Sequence, residues 1–362
     1  MYWTELTREG DIGRANLDGN PASVDPEFIE AGEFAEPCGS PAVDGAHIYW
    51  ADGNFSENAG LIGRASLDGT SVEPRFIRLT AEARPCGVAV TGSHIYWGNA
   101  GPAETDAIGR ANLDRSGVDQ AFIGGAREPR GVAVGGGRIY WSNFDGSSIG
   151  RATLSGTGVN QNFVVGSGLN AGGVAVGPAH LYWANEVLFP APTIGRANLD
   201  KSAVTNSFIP VPDQPAGVAV DAAHIYWGLA GAIGRGGLNA TSVDQGFIAD
   251  ADPSGVAVDG LLPSNEFFLR KAKREKKKGT AKLTVEGLDP PGGLELGKTK
   301  KVKGRRIAVE ATSTSQLRIK PKGKAKRKLK GGGRAKVKAE VTFTPDGGEP
   351  STQSKSVKLV KR

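Results

Sequence analysis

Sulfur is nearly absent from this sequence: its 362 residues include two cysteines and one methionine. Cys38 and Cys86 form no CxxC pair and have no zinc-ligand spacing, so a cysteine-rich metal framework is excluded. No apolar run approaches the ~18 residues of a membrane-spanning helix. Common catalytic signatures are missing as well. There is no HExxH zinc helix, no GxSxG nucleophile elbow, no phosphate-cradling glycine loop and no DxDxDG calcium loop. Neither a metal site nor a cofactor is expected. The segment Met1-Tyr2-Trp3 has no leader-like charged or apolar region and opens inside a repeat, which raises the expectation of a natural start upstream.

Glycine (53) and proline (21) are plentiful, which favours short strands and many turns over long helices. Charge is also plentiful, but it is split. From Leu261 onward there are 29 Lys and Arg against 9 Asp and Glu, leaving 15 and 29 for residues 1–260. These local charges of +20 and −14 predict two domains, 1–260 and 261–362, with a boundary near Leu261–Asn265.

All six Trp and all six Tyr fall in one dipeptide, at 2–3, 49–50, 96–97, 140–141, 182–183 and 226–227. The steps of 47, 47, 44, 42 and 44 residues suit one propeller blade each. Ile-Gly-Arg follows every pair and places Arg14, Arg64, Arg110, Arg151, Arg196 and Arg235 in phase. A V-x-x-x-F pair comes next, from Val24/Phe28 to Val243/Phe247, and each unit closes on an Ala-Val core. Runs of Val, Ile, Tyr and Trp between Gly, Asp and Asn turns read as strands. The predicted order in a blade is G-V-A-V inside, then H-I-Y-W, then I-G-R-A-x-L, then V-x-x-x-F-I. Small Gly13 and Ala15 would leave room for a bulky Tyr or Trp of an adjacent blade. The chain lacks a first inner strand and carries a surplus one at Gly255–Val258. Pairing that strand with Met1–Thr4 closes six four-stranded blades and removes free sheet edges. The predicted fold is all-β: a six-bladed β-propeller followed by a small β-sandwich.

The pattern resembles the YWTD repeats of low-density-lipoprotein-receptor class B proteins. Tyr2-Trp3-Thr4-Glu5 and Tyr49-Trp50-Ala51-Asp52 are the nearest matches, and I-x-R-A-x-L-D-G matches too. Later copies drift at the fourth position to Asn99, Asn143, Asn185 and Leu229. The resemblance covers about 260 residues. It implies a propeller used for protein or ligand binding and for scaffolding, without the flanking modules of the receptors. Residues 265–362 look like a lysine-rich immunoglobulin-like module of actinobacterial secreted proteins. The matching stretches are Lys276–Val285, Ile319–Leu329 and Ala335–Pro345. Period-two alternation, as in Ala281/Leu283/Val285 and Val337/Ala339/Val341/Phe343, independently predicts strands with one buried face.

The periodic residues read as structure. Trp3, Trp50, Trp97, Trp141, Trp183 and Trp227 belong to the repeat. The histidines (His47, His94, His180, His224) share one phase beside a hairpin turn and do not converge as metal ligands do. The six arginines read as internal hydrogen-bond or ion-pair partners, with a positive ring for an anion as the functional alternative. Cys38 and Cys86 follow a proline at the same phase of neighbouring repeats, so they read either as a disulfide or as two buried thiols.

Function is better sought in the irregular loops that a rigid scaffold carries. Candidate residues on the loop-rich face are Phe55, Arg130, Phe144, Glu186, Leu188 and Phe189, with Arg130 at the channel mouth. The chain reads as a monomeric, non-catalytic binding or scaffold protein of the cell surface or exterior, recognising a protein or glycan. The alternative is a propeller hydrolase or lyase with a metal at the channel mouth. The Gly-Val-Ala-Val inner strands offer no converging acid, amide or imidazole for it. The basic C-terminal domain suits an anionic cell-envelope polymer. Nucleic acid is disfavoured, because the domain has almost no aromatic residues for stacking.

Overall fold

The computed structural model describes residues 1–5, 11–32, 37–53, 59–81, 83–101, 106–166, 170–186, 191–259, 268–270, 272–286, 292–309, 314–330, 332–345 and 351–361. The chain divides into two compact units, Met1–Leu261 and Leu262–Arg362.

The first unit is a β-propeller containing six four-stranded antiparallel sheets. A typical sheet runs from inside to outside as Val132–Gly135, Arg138–Asn143, Ser148–Thr153 and Asn160–Val165. The first sheet is assembled from distant parts of the chain. Its inner strand Pro253–Ala257 pairs antiparallel with Tyr2–Glu5, placing Trp3 opposite Val256. The strands Ile12–Arg14 and Asp25–Ile29 complete it.

Side chains alternate across a strand, so the Tyr and Trp of each pair enter opposite faces. Each Trp lies opposite the third-strand glycine of its own sheet: Gly13, Gly63, Gly109, Gly150, Gly195 and Gly234. A Cβ at any of them would overlap the indole. The glycine space is therefore filled from within the sheet, not by an adjacent blade as the sequence suggested. The alanine two residues on does face the neighbour: Ala65 shares a cluster with Tyr2, Ile48 and Trp50. The same layering joins Tyr49 to Trp97, Tyr96 to Trp141 and Tyr140 to Trp183. Tyr226 with Trp3 closes the ring. All six indoles are 0% exposed. Each buries on the order of 200 Å², about 5 kcal/mol as an upper bound.

The outer strands start later than the V-x-x-x-F reading predicted. Val72, Val118, Val159, Val204 and Val243 precede their strands and are 37–44% exposed. The residue before each has a left-handed φ between 51° and 63°. The valine therefore leaves a turn, and the phenylalanine carries the packing.

The inner strands meet around the axis through glycine. Gly39 abuts Gly87, Gly87 abuts Gly131, Gly131 abuts Gly173, Gly173 abuts Gly217, Gly217 abuts Gly255, and Gly255 returns to Gly39. A Cβ on any of them would lie within 3 Å of an atom of another sheet. Only residues without a side chain allow this close approach of neighbouring sheets around the axis. Beside the ring, Cys38 and Cys86 form a disulfide with a Cα–Cα distance of 4.6 Å. It fastens the second sheet to the third and settles the open choice between bridge and buried thiols.

The second unit contains two four-stranded sheets. In one, Thr280–Glu286 pairs with Phe268–Leu269, Lys273–Glu275 and Thr314–Ile319. The other runs Arg305–Val309, Gly292–Leu296, Gly333–Pro345, Ser351–Lys361. Ala281, Leu283 and Val285 of the first share one apolar core with Leu294, Leu296, Val341 and Phe343 of the second. One element departs from the all-β expectation: Gly323–Lys330 is an α-helix. Lys, Ala, Arg and Leu are strong helix formers, and buried Ala325 and Leu329 are spaced four apart on one face.

Candidate functional site

Three of the candidate face residues, Arg130, Phe144 and Glu186, converge. Phe55, Leu188 and Phe189 lie outside the described residues.

Arg130 immediately precedes Gly131 of the axial ring and sits on a strained bend. Glu128 has a left-handed φ of 46°, which costs a non-glycine residue about 1–2 kcal/mol. Two bonds hold it there. Its N–H donates to Asp106 Oδ2 at 2.6 Å, and its carbonyl accepts from the Phe144 N–H at 3.3 Å. One residue earlier, the Arg127 N–H donates to Asn143 Oδ1 at 3.0 Å.

Asn143 occupies the fourth position of its Tyr-Trp unit, and this anchoring bond recurs. Asn99 accepts from the Arg84 N–H at 3.1 Å, Asn185 from the Asn170 N–H at 2.8 Å, and Glu5 from the Asp252 N–H at 3.2 Å. Asn, Asp and Glu all supply such an oxygen, which accounts for the drift among them. In these four sheets the fourth position therefore fixes the loop that enters the inner strand.

From this base the Arg130 guanidinium reaches both carboxylates. Nη2 and Nε donate to Glu128 Oε1 at 2.6 and 3.1 Å, and Nη1 donates to Glu186 Oε2 at 3.5 Å. Its Cζ lies 3.2 Å from the centre of the Phe144 ring. Phe144 opens a short 3-10 turn, Phe144–Gly146, directly after the strand that ends at Asn143. The Arg130 and Glu128 side chains are 37% and 41% exposed, and that of Glu186 is 21% exposed.

Glu186 follows the strand His180–Asn185. Its N–H donates to Asn170 O at 3.0 Å, and its carbonyl accepts from Gln214 Nε2 at 2.9 Å. Its carboxylate rests against Gly172, where a Cβ would overlap Oε1. Burial pushes the Glu186 carboxyl up to about 7; Arg130 opposes the rise and Glu128 adds to it. Burial also raises Asp106, against the lowering effect of the Glu128 N–H. The site thus combines carboxylate acceptors, a fork of donors and an aromatic face, a set that engages hydroxyls and cationic groups.

The periodic residues stand elsewhere. The six arginines lie with Cζ 3.7–4.0 Å from the ring centres of Phe28, Phe76, Phe122, Phe163, Phe208 and Phe247 of the same sheets. Arg151 and Arg196 also donate to Leu199 O and Leu238 O of the next sheet, each at 3.3 Å. His47 and His224 sit beside turn carboxylates Asp44 and Asp221, at 3.6 and 3.8 Å. Glu128 and the stacking phenylalanines were missed as partners. The constant phase of V-x-x-x-F against I-G-R was the available signal for the latter. Among the described residues no group of three or more His, Cys, Asp or Glu is placed to hold a metal ion.

No known protein family and no curated protein sequence matches the chain. Solved structures do. A chain in a crystal structure of a nidogen/laminin complex is 18% identical with a TM-score of 0.58, over 71% of this chain and 96% of that one. A streptogramin B lyase structure is 14% identical with a TM-score of 0.47, over 88% and 93%. The first likeness supports the β-propeller fold and, at that identity, the fold alone.

Proposed function

We propose that this chain is a non-catalytic recognition scaffold: a six-bladed YWTD-like propeller followed by an immunoglobulin-like sandwich, working at the cell surface or exterior. The propeller recognises a protein or glycan through the loop face around Arg130. The observation that carries this reading is the half-exposed Arg130–Phe144–Glu186–Glu128 cluster, built around the strained bend at Glu128 and beside the axial glycine Gly131. Aromatic and arginine groups anchored this way are the side chains that dominate binding energy at interfaces. The solved nidogen/laminin complex is a precedent in which a chain of similar fold takes part in a protein complex. An oxidising compartment is supported by the Cys38–Cys86 disulfide.

The test is a screen of glycan and extracellular-protein arrays with wild type, Arg130→Ala and Phe144→Ala. Hits that weaken at least tenfold in both variants support the proposal; hits indifferent to both refute it. The catalytic alternative is favoured by one feature, a Glu186 carboxyl held near neutrality beside Arg130. A carboxyl in that range suits general acid–base work. Turnover of a glycoside, ester or lactone that is abolished in Glu186→Gln would replace the binding reading.

A further inference from the structure

We propose that a cleft in the second unit is the binding site for a linear acidic polysaccharide. The cleft is lined by Glu295, Lys298, Lys303, Arg305, Arg306 and Lys322, together with Gly304. This inference deepens the reading of the basic unit as the part that meets an anionic envelope polymer, and it rests on that reading.

The cleft has a volume of about 470 Å³, within the range of small-ligand sites. Its floor is the turn joining Gly292–Leu296 to Arg305–Val309, and that turn is firmly held. Val302 in its middle is 0% exposed and belongs to the unit's core. The Lys303 N–H donates to Lys320 O at 3.1 Å, and the Lys322 N–H to Lys301 O at 2.8 Å. Thr299 N–H closes on Val302 O at 3.1 Å. The cationic side chains therefore project from a fixed backbone. None of the five cations has an ion pair among the described residues. Four of them are exposed and Lys322 is half-buried.

Five cations against the one carboxylate of Glu295 leave an excess of positive charge around one concavity, which favours an anionic ligand, and the Arg305 and Arg306 guanidiniums suit the planar carboxylate of a uronic acid. Glu295 selects the class. A carboxylate amid the cations accepts hydrogen bonds from the free hydroxyls that a uronic-acid chain carries beside its carboxylates and that the backbone of DNA lacks. The lining contains no aromatic residue on which a base would stack. Duplex DNA is read by an element that enters its major groove, and the one helix described in this unit, Gly323–Lys330, does not line the cleft.

The experiment titrates the full chain with polygalacturonate at several salt concentrations. A groove variant (Lys303→Glu, Arg305→Glu, Lys322→Glu) is compared with a helix variant (Lys326→Glu, Arg327→Glu, Lys328→Glu) of equal charge change. The expected result is at least a tenfold loss in the groove variant and under threefold in the helix variant. The salt slope of the groove variant should fall by about one per removed contact. Equal losses in the two variants overturn the cleft while leaving the basic unit a diffuse polyanion binder. Absence of polygalacturonate binding to wild type overturns the acidic-polysaccharide assignment; absence of binding to polyphosphate as well overturns the polyanion reading it rests on. Tighter binding of duplex DNA than of polygalacturonate also overturns the assignment. Circular dichroism of both variants checks that each is folded.

Discussion

The Arg130 guanidinium lies 3.2 Å over the Phe144 ring while its Nη1 reaches Glu186. Arginine, aromatic and carboxylate come from two different sheets, and Phe144 and Glu186 are held by backbone hydrogen bonds to Glu128 and Asn170. Their coupling makes Glu186 a reporter of the site. Arg130 holds the Glu186 carboxyl down against burial. Arg130→Ala is therefore expected to move its titration above about 7, and Glu128→Gln to move it below. NMR titration of the glutamate side chains, assigned with Glu186→Gln, checks both directions.

The same group makes stability depend on pH. The folded pKa of about 7 exceeds the ordinary 4.5, so the folded state binds more protons between those values. The contribution is fully present below about 4.5 and is lost as pH rises towards 7. It is worth at most about 3 kcal/mol, with solvent access reducing it. Denaturant unfolding from pH 4.5 to 8 should show a steeper decline in wild type than in Glu186→Gln. Parallel curves would contradict the assignment.

The axial ring predicts a sharp contrast between glycines. A Cβ on Gly131 would lie 2.7 Å from Gly172 O and 2.8 Å from Val174 N, whereas Gly45 has nothing within 4 Å. Gly131→Ala should cost about 1–3 kcal/mol or more, and Gly45→Ala should be near neutral. Thermal unfolding of the two variants side by side measures the difference.

Cys38 and Cys86 join neighbouring sheets across a sequence separation of 48. Reduction, or the double replacement Cys38→Ser/Cys86→Ser, should destabilise the propeller by about 2–4 kcal/mol. Unfolding with and without reductant tests this, and the double variant should be insensitive to reductant.

The repeat made the strand order and the pairing of Tyr2–Glu5 with Pro253–Ala257 legible, because both follow from period and phase. The Trp–Gly contacts were misassigned to adjacent blades. Alternation tells which face a side chain enters but not which sheet fills the space. The helix Gly323–Lys330 was hidden by a lysine-rich run that supports either state until Ala325 and Leu329 find a core. At the site, Arg130, Phe144 and Glu186 were chosen from loop position alone. Their convergence depends on the Asn143 anchor, which the repeat encodes, and on the Glu128 bend, which is set by a hydrogen bond to Asp106 that no local pattern encodes.

Hydrogen exchange of the propeller, free and saturated with the strongest array hit, tests the central claim most directly. The account predicts protection concentrated at Arg127–Val132, Phe144–Ser148 and Asn185–Glu186, and its loss in Arg130→Ala at the same ligand concentration. Protection confined to the outer strands or the opposite turns, with those three segments unchanged, would contradict it.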